Sequence, residues 1–149
     1  MKASSTALNV LLRLVVAAGL AIDAYVHFHL ADTYDPVKAS ISQGDLFRIE
    51  AAIAAVVAVL VLAVRHRLVY ALAFLVAAGG VAAVLVYRYV DVHAFGPFPA
   101  MYEPVWYTQK TVSLIAEAVA AVAAAVLVLT SRSRESENAL RSEAGGPTG

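Results

Sequence analysis

The fold is decided by residues 46–90, LFRIEAAIAAVVAVLVLAVRHRLVYALAFLVAAGGVAAVLVYRYV. Two apolar blocks here flank the basic run Arg65-His66-Arg67. Each block reaches about 20 residues, the length of helix that crosses a hydrocarbon core about 30 Å thick. Because so short a basic run leaves room only for a tight turn, the stretch predicts two antiparallel transmembrane helices, at about 46–64 and 68–90.

Two further apolar blocks, at about 8–30 and 105–130, lie on either side of this hairpin. The chain is 61% hydrophobic and 15% charged, whereas soluble domains carry about 45–50% apolar and about 25% charged residues. We therefore predict an all-α, polytopic membrane protein, a four-transmembrane-helix bundle over residues 1–130. Asp45 is the predicted N-cap of the second helix. Residues 131–149 change abruptly to Ser, Arg, Glu, Gly and Pro, which is typical of a disordered tail.

The distribution of Lys and Arg predicts the orientation of the bundle. If both termini are cytoplasmic, seven basic residues lie inside and four outside: Lys2, Arg13, Arg65, Arg67, Arg132, Arg134 and Arg141 against Lys38, Arg48, Arg88 and Lys110. Because cytoplasmic loops carry the excess of positive charge, the sequence predicts an N-in/C-in topology with a cytoplasmic tail. Alanine and valine dominate and arginine outnumbers lysine, which is typical of GC-rich bacteria and indicates a bacterial plasma (inner) membrane.

Composition also excludes several classes of function. The formal net charge is zero and the sequence has no basic stripe, so nucleic acid is not an expected partner. Cysteine is absent, which excludes disulfides, thiolate metal sites and thiol-exchange chemistry. The sequence shows no nucleophile–base arrangement, so we do not expect the chain to be an enzyme on its own.

Three acidic residues fall inside predicted transmembrane helices: Asp23, Glu50 and Glu117. Ionisable side chains are expensive in a membrane, so each is a candidate functional residue. Counted at 1.5 Å per residue from the outer helix ends, all three lie about 6–11 Å below the outer boundary. The sequence therefore predicts an acidic layer near the outer face of the bundle.

Basic residues lie just above this layer. His27 is one helical turn from Asp23, and Lys110 is two turns from Glu117 on one face. Two interpretations stay open: a ligand pocket, or a structural network in which these charges only hold the bundle together. The candidate pocket residues are Asp23, His27, Glu50, Arg88, Lys110 and Glu117.

The connection between the third and fourth helices is rich in aromatic residues and is interrupted by Pro97, Pro99 and Pro104. It is apolar but too short and too broken to span a membrane. We interpret it either as a lid over the polar layer or as an interfacial loop. The candidate lid residues are Phe95, Phe98, Tyr102 and Trp106. A lid rich in rings over a polar layer suits an amphiphilic ligand, which makes a quinone the candidate cofactor.

A metal site is a weaker alternative, with His27, His29 and His93 as its candidate ligands. His27 and His29 are two positions apart, so their rings point about 200° apart around a helix. This spacing is poor for chelation of one ion. The sequence therefore does not predict a metal site.

The layout now assembled resembles the DoxX-like group of small four-helix bacterial membrane proteins, over about residues 10–130. The resemblance rests on Arg13 in the first helix, the motif His27-Phe28-His29-Leu30 at its end, the opening Leu46-Phe47-Arg48-Ile49-Glu50 of the second helix, and the short basic turn. The chain is also similar to actinobacterial four-helix membrane proteins. An Asp-rich first loop and a Pro-rich third loop depart from the DoxX-like pattern.

The resemblance implies an association with quinone-linked or oxidative-stress redox complexes, and it carries over only Glu50 as a site residue. We accordingly predict an accessory membrane component with an outer-leaflet polar pocket for a lipid-like or quinone-like molecule. Its expected partners are membrane lipids and other membrane or redox-complex subunits. The alternative is a structural or interaction protein whose intramembrane charges only stabilise the bundle.

Overall fold

The computed structural model describes the backbone of residues 2–144 and the side chains of residues 6–131. Over this part of the chain the protein is all-helical, with no β-strand. Its four helices are α1 Lys2–Tyr34, α2 Gln43–Ala63, α3 Arg67–Tyr89 and α4 Thr108–Ala144. Each contains a segment of at least 21 residues that is long and apolar enough to cross a membrane. The predicted four-helix transmembrane architecture is therefore confirmed.

Several helix ends differ from the predicted ones, including the starts of α1 at Lys2 and of α2 at Gln43. α1 continues beyond position 30 to Tyr34, and α4 begins at Thr108 and continues to Ala144. Residues 132–144 are thus helical in the backbone, whereas the sequence predicted disorder from position 131. The residues that strongly disfavour a helix, Gly145, Gly146 and Pro147, come only after this point. Residues 145–149 of the predicted tail lie outside the described residues.

The start of α2 corrects the predicted N-cap. Ser42 is the N-cap, and its hydroxyl accepts a hydrogen bond from the Asp45 backbone N–H, while the Asp45 carboxylate accepts from the Ser42 N–H. Asp45 is therefore the third residue of a capping box. Gly44 lies inside the helix, where a Cβ would overlap the Ala31 carbonyl oxygen and the Asp35 carboxylate. The glycine permits a close approach of α1 and α2.

Small side chains set the packing of the bundle. α1 packs extensively against α2 and α4, and α3 packs against α4, whereas α2 and α3 meet sparsely. At the α1–α4 crossing, a Cβ on Gly19 would lie 2.7 Å from the Ala116 carbonyl oxygen and 2.9 Å from the Ala120 Cβ. Such close backbone contact is the usual way in which transmembrane helices associate. The sparse α2–α3 seam leaves space inside the bundle.

Arg13 has a structural role that its charge alone does not reveal. Its side chain is buried, and its guanidinium donates hydrogen bonds to the carbonyl oxygens of Val61, at 2.8 Å, and Leu62. The last carbonyls of a helix have no partner within the helix and carry the negative end of its dipole. Arg13 therefore caps the C-terminal end of α2 from within α1.

Candidate functional site

A cavity of about 390 Å³ lies between α2 and α3, toward the end of the bundle that carries the 35–42 and 90–107 connections, which we call the loop end. Its apolar walls come from α2 and α3, with Leu46, Ile53, Leu75 and Val84 among the lining residues. Ile53 and Leu75 are also exposed on the outside of the bundle. The cavity therefore opens sideways at the α2–α3 seam, the face that a membrane would cover.

The inner wall of the cavity carries a buried polar cluster on α1 and α4. His27 Nδ1 lies 2.8 Å from Asp23 Oδ1 and 3.1 Å from the Asp23 carbonyl oxygen. From α4, the Ser113 hydroxyl donates to Asp23 Oδ1 at 2.5 Å. The Phe47 ring meets His27 edge-on at 4.9 Å between ring centroids. His27 and Ser113 line the cavity, while Asp23 lies behind them.

Glu117 completes this inner wall and is only 1% exposed. Neither of its carboxylate oxygens has a hydrogen-bond partner among the described residues. The carboxylate lies against Gly80 of α3, where a Cβ would overlap Glu117 Oε1. One donor atom each from Asp23, His27 and Glu117 lie within 4.8 Å of one another. The three residues are therefore the part of the described chain with the geometry to hold a metal ion.

Glu50 faces the same cavity from α2 and is partly exposed. Among the described residues, no side chain forms a hydrogen bond or an ion pair with the Glu50 carboxylate. Of the six predicted pocket residues, four line the cavity: His27, Glu50, Lys110 and Glu117. The structure thus brings together on one cavity acids that the sequence placed only at a common depth.

Two tyrosines and an acid close the cavity at the loop end. The hydroxyls of Tyr34 and Tyr107 are 2.9 Å apart, and the Tyr34 hydroxyl donates to Glu103 Oε2 at 3.4 Å. Burial raises the pKa of the Tyr107 phenol, so the Tyr107 hydroxyl stays protonated near neutral pH. The backbone N–H of Glu103 donates to the Tyr87 carbonyl at 2.9 Å, which connects this group of three residues to the end of α3.

Lys110 and Arg88 do not pair with the acidic layer. The Lys110 amine donates to the carbonyl oxygens of Glu103, at 2.5 Å, and Val105, at 3.2 Å. The Arg88 guanidinium lies over the Trp106 ring, 5.6 Å from its centroid, and Arg88 does not line the cavity. Lys110 therefore organises the loop above the cavity, and Arg88 supports that loop from outside.

Arg48 also pairs away from the membrane-embedded acids. Its guanidinium forms two hydrogen bonds of 2.8 Å with the Asp35 carboxylate and further contacts with Asp32, at 2.6 Å, and Asp45, at 3.3 Å. The Arg48 guanidinium holds the pKa of Asp35 below its usual range. The cluster fastens the end of α1 to the start of α2 at the loop end. It lies outside the cavity lining.

The predicted lid residues lie in the loop over the bundle but do not line the cavity. Phe95 and Phe98 pack on each other across a turn in which Gly96 adopts a φ of 55°, a conformation that favours glycine. Phe95, Tyr102 and Trp106 are exposed. The residues of this loop that do line the cavity are Met101, Glu103 and Tyr107. The cavity-lining residues of this loop therefore differ from the predicted lid residues.

The predicted metal candidates do not come together. His29 is exposed and stacks on Tyr25, with 5.8 Å between ring centroids, and His93 is an exposed loop residue. Of the three, only His27 belongs to a group of potential ligands in the described chain, and its companions there are Asp23 and Glu117. The potential ligands that do come together in the described chain lie at the α1–α4 contact, and neither His29 nor His93 is among them.

Sequence reasoning did not single out Gly80, Tyr34 or Tyr107 as site residues. A signal existed for Gly80, because a glycine within an apolar helix often marks a close approach. The two tyrosines are 73 positions apart, and no spacing rule brings them together.

Fold and site define a class: a multi-pass membrane protein with a four-helix bundle and a lateral, partly polar cavity. No protein-family model, curated protein or solved structure matches this chain. The DoxX-like resemblance therefore stays a prediction.

Proposed function

We propose that this protein binds an amphiphilic, lipid-like or quinone-like molecule in the cavity between α2 and α3. The observation that carries the proposal is the division of the cavity into apolar and polar parts. Leu46, Ile53, Leu75 and Val84 offer apolar walls for a tail, and His27, Glu50 and Glu117 offer polar groups for a head. The volume of about 390 Å³ falls within the range of about 300–1,000 Å³ usual for ligand pockets.

The lateral opening supports a ligand that arrives from the lipid phase. A water-soluble ligand would approach from the loop end, where Tyr34, Tyr107 and Glu103 are joined by hydrogen bonds. Among amphiphiles, a quinone accords with the DoxX-like resemblance and with the phenol and imidazole donors beside the cavity. In this proposal the chain is an accessory subunit of a membrane redox complex, with membrane lipids as its other partners.

The proposed setting is the bacterial plasma membrane, with both termini in the cytoplasm. The excess of Lys and Arg at the ends of the chain and in the Arg65–Arg67 turn supports this orientation. The loop end and the polar side of the cavity then lie in the outer leaflet.

The alternative function, a structural or interaction protein, is favoured by one set of observations. Arg48 contacts carboxylates at the end of α1 and the start of α2, Lys110 contacts loop carbonyls and adjacent rings, and these contacts fasten the ends of helices. Glu50 and Glu117 do not fit this role, because no basic side chain of the described residues lies within ion-pair distance of either carboxylate. We therefore favour the ligand pocket.

A cavity-filling substitution tests the proposal. Gly79 is an exposed residue that lines the cavity, and a Cβ there would meet no atom within 4 Å, so Gly79→Leu adds a bulky side chain at the cavity edge without a clash at its Cβ. Ala52→Leu is the matched control, because Ala52 is exposed on α2 and does not line the cavity. The protein would be purified in native-lipid nanodiscs, its bound lipids and quinones quantified by mass spectrometry, and its affinity for a short-chain benzoquinone measured by quenching of Trp106, its single tryptophan.

We expect wild type and Ala52→Leu to retain the same amphiphile and to bind the quinone equally. Gly79→Leu should weaken binding by about tenfold or more, because the leucine side chain would take space that the ligand needs, and a tenfold loss corresponds to about 1.4 kcal/mol. Equal retention by all three proteins, with equal quenching, would refute the pocket. Retention of a lipid without saturable quinone quenching would keep the pocket and reject the quinone.

A further inference from the structure

Three potential metal ligands converge beside the cavity from two helices. Asp23 and His27 are one turn apart on α1, and Glu117 faces them from α4. One donor atom from each lies within 4.8 Å of the other two. Metal sites in helical bundles are commonly built in this way, from carboxylate and histidine side chains that project inward from facing helices.

The Glu117 carboxylate is a second, independent indication of a ligand. It is 1% exposed, neither oxygen accepts a hydrogen bond from a donor group of the described residues, and its polar neighbour is the Asp23 carboxyl. A buried polar group without a partner is costly, and a buried charge is far more so. A divalent ion would give the Glu117 carboxylate a partner and would join it to Asp23, which already accepts from Ser113 and contacts His27. We propose that Asp23, His27 and Glu117 form a divalent metal site on the inner wall of the cavity.

Neighbouring groups fix the orientation of these side chains, as hydrogen-bond partners of metal ligands commonly do. The Ser113 hydroxyl donates to Asp23 Oδ1 at 2.5 Å and so fixes the orientation of that carboxylate. His27 Nδ1 and Asp23 Oδ1 are 2.8 Å apart, close to the separation of about 3 Å between adjacent ligand atoms around an ion with bonds of about 2.1 Å. This contact is a hydrogen bond in the metal-free protein, and the ion replaces its proton. Gly80 supplies the space that Glu117 occupies.

The donor set indicates which ions the site accepts. One imidazole nitrogen and two carboxylates, with no thiolate, suit Zn²⁺, Mn²⁺ or Fe²⁺ and disfavour Cu⁺. Three protein ligands leave at least one coordination position free. Because His27 and Glu117 line the cavity, that position faces a space where water, Glu50 or an oxygen of a bound molecule can enter it.

Metal titration of the full-length protein in detergent tests the site. After removal of metals by a chelator, Mn²⁺ binding is followed by the loss of the free-ion EPR signal, and Zn²⁺ binding by competition. We expect one equivalent to bind, and Glu117→Gln and Asp23→Asn each to weaken binding more than about tenfold. Ser113→Ala should weaken it about tenfold, as loss of a second-shell partner does. His29→Gln is the matched control, since His29 lies two positions from His27 and outside the group.

Two measurements keep the test decisive if a variant folds poorly. On wild type alone, Zn²⁺ should raise the Tm and a chelator should reverse the rise. No rise in Tm, or equal binding by wild type and well-folded Glu117→Gln, would overturn the proposal, as would loss of binding in His29→Gln. Although His27 and Glu117 also line the amphiphile pocket, the two proposals can fail separately: Gly79→Leu should keep the ion, and failure of metal binding would leave the results with quinone and lipid unaffected.

Discussion

The α1–α4 crossing predicts the outcome of adding a single methyl group at Gly19. A Cβ there would lie 2.7 Å from the Ala116 carbonyl oxygen and 2.9 Å from the Ala120 Cβ, whereas carbon contacts are optimal at about 3.5–4.0 Å. The helices must therefore separate by about 1 Å, and overpacking of this kind costs about 1–3 kcal/mol. The same substitution also gains up to about 1 kcal/mol in helix propensity, which obscures the cost in a single variant.

Gly79→Ala supplies the control, because it makes the same chemical change in a helix where the new Cβ meets no atom within 4 Å. The propensity gain cancels in the comparison, so Gly19→Ala should be less stable than Gly79→Ala by about 1–3 kcal/mol. The assay is unfolding by SDS in mixed micelles, followed by Trp106 fluorescence. Equal free energies of unfolding for the two variants would refute the packing described at the α1–α4 crossing.

Three other predictions concern charged residues. Arg13→Met should lower the free energy of unfolding by about 1.5–3 kcal/mol, since it removes charged hydrogen bonds to the end of α2; the same SDS assay should show almost no change for the exposed Leu14→Met. Arg48 lowers the pKa of Asp35, so their contact stabilises the folded protein above about pH 4 and is lost as the pH falls through the lowered pKa. From about pH 6 to about pH 3 the Tm of wild type should therefore fall more than that of Arg48→Gln, and parallel curves would contradict this. A reporter active only in the cytoplasm should work when fused after Ser131 and be silent when inserted near Ser40; the reverse pattern would invert the proposed orientation.

The sequence revealed features whose cause is local. Apolar blocks of the length of a membrane span predict helices directly, and the spacing of Asp23 and His27 places them on one face of α1. Ser42 could also have been recognised, because Ser followed three residues later by an acid resembles a capping box. Residues 132–144 contain no Gly or Pro, so a helical backbone is locally possible there although the polar composition predicts disorder.

Features that depend on long-range packing could not be predicted. Ser113 reaches Asp23 across 90 positions, and Arg13 reaches Val61 across 48. The basic residues were expected above the acids at the right depth, but depth does not fix the direction of a long side chain. Lys110 turns toward loop carbonyls, because these oxygens have no helical partner and lie within reach of the amine. The assignment of partners therefore needed the structure.

The change in the free energy of unfolding when Glu117 is neutralised distinguishes a structural network from a ligand site. In a buried ion pair, removing one partner costs about 3–5 kcal/mol, because the other charge stays uncompensated. Lys110, the basic residue expected to pair with Glu117, instead donates to the carbonyls of Glu103 and Val105. Glu117→Gln should therefore leave the stability of the metal-free protein unchanged or raise it.

The double variant sharpens this expectation. If Lys110 were the partner of Glu117, adding Lys110→Met to Glu117→Gln would restore stability. Since Lys110 holds the loop carbonyls, the second substitution should instead lower the free energy of unfolding by about 1.5–3 kcal/mol, the usual value of a charged hydrogen bond. SDS unfolding of wild type, both single variants and the double variant forms a complete cycle, in which the effects of the two substitutions should add because the residues do not interact. A positive coupling, with the double variant more stable than Glu117→Gln alone, would restore the structural interpretation and remove the reason for seeking a ligand beside Glu117.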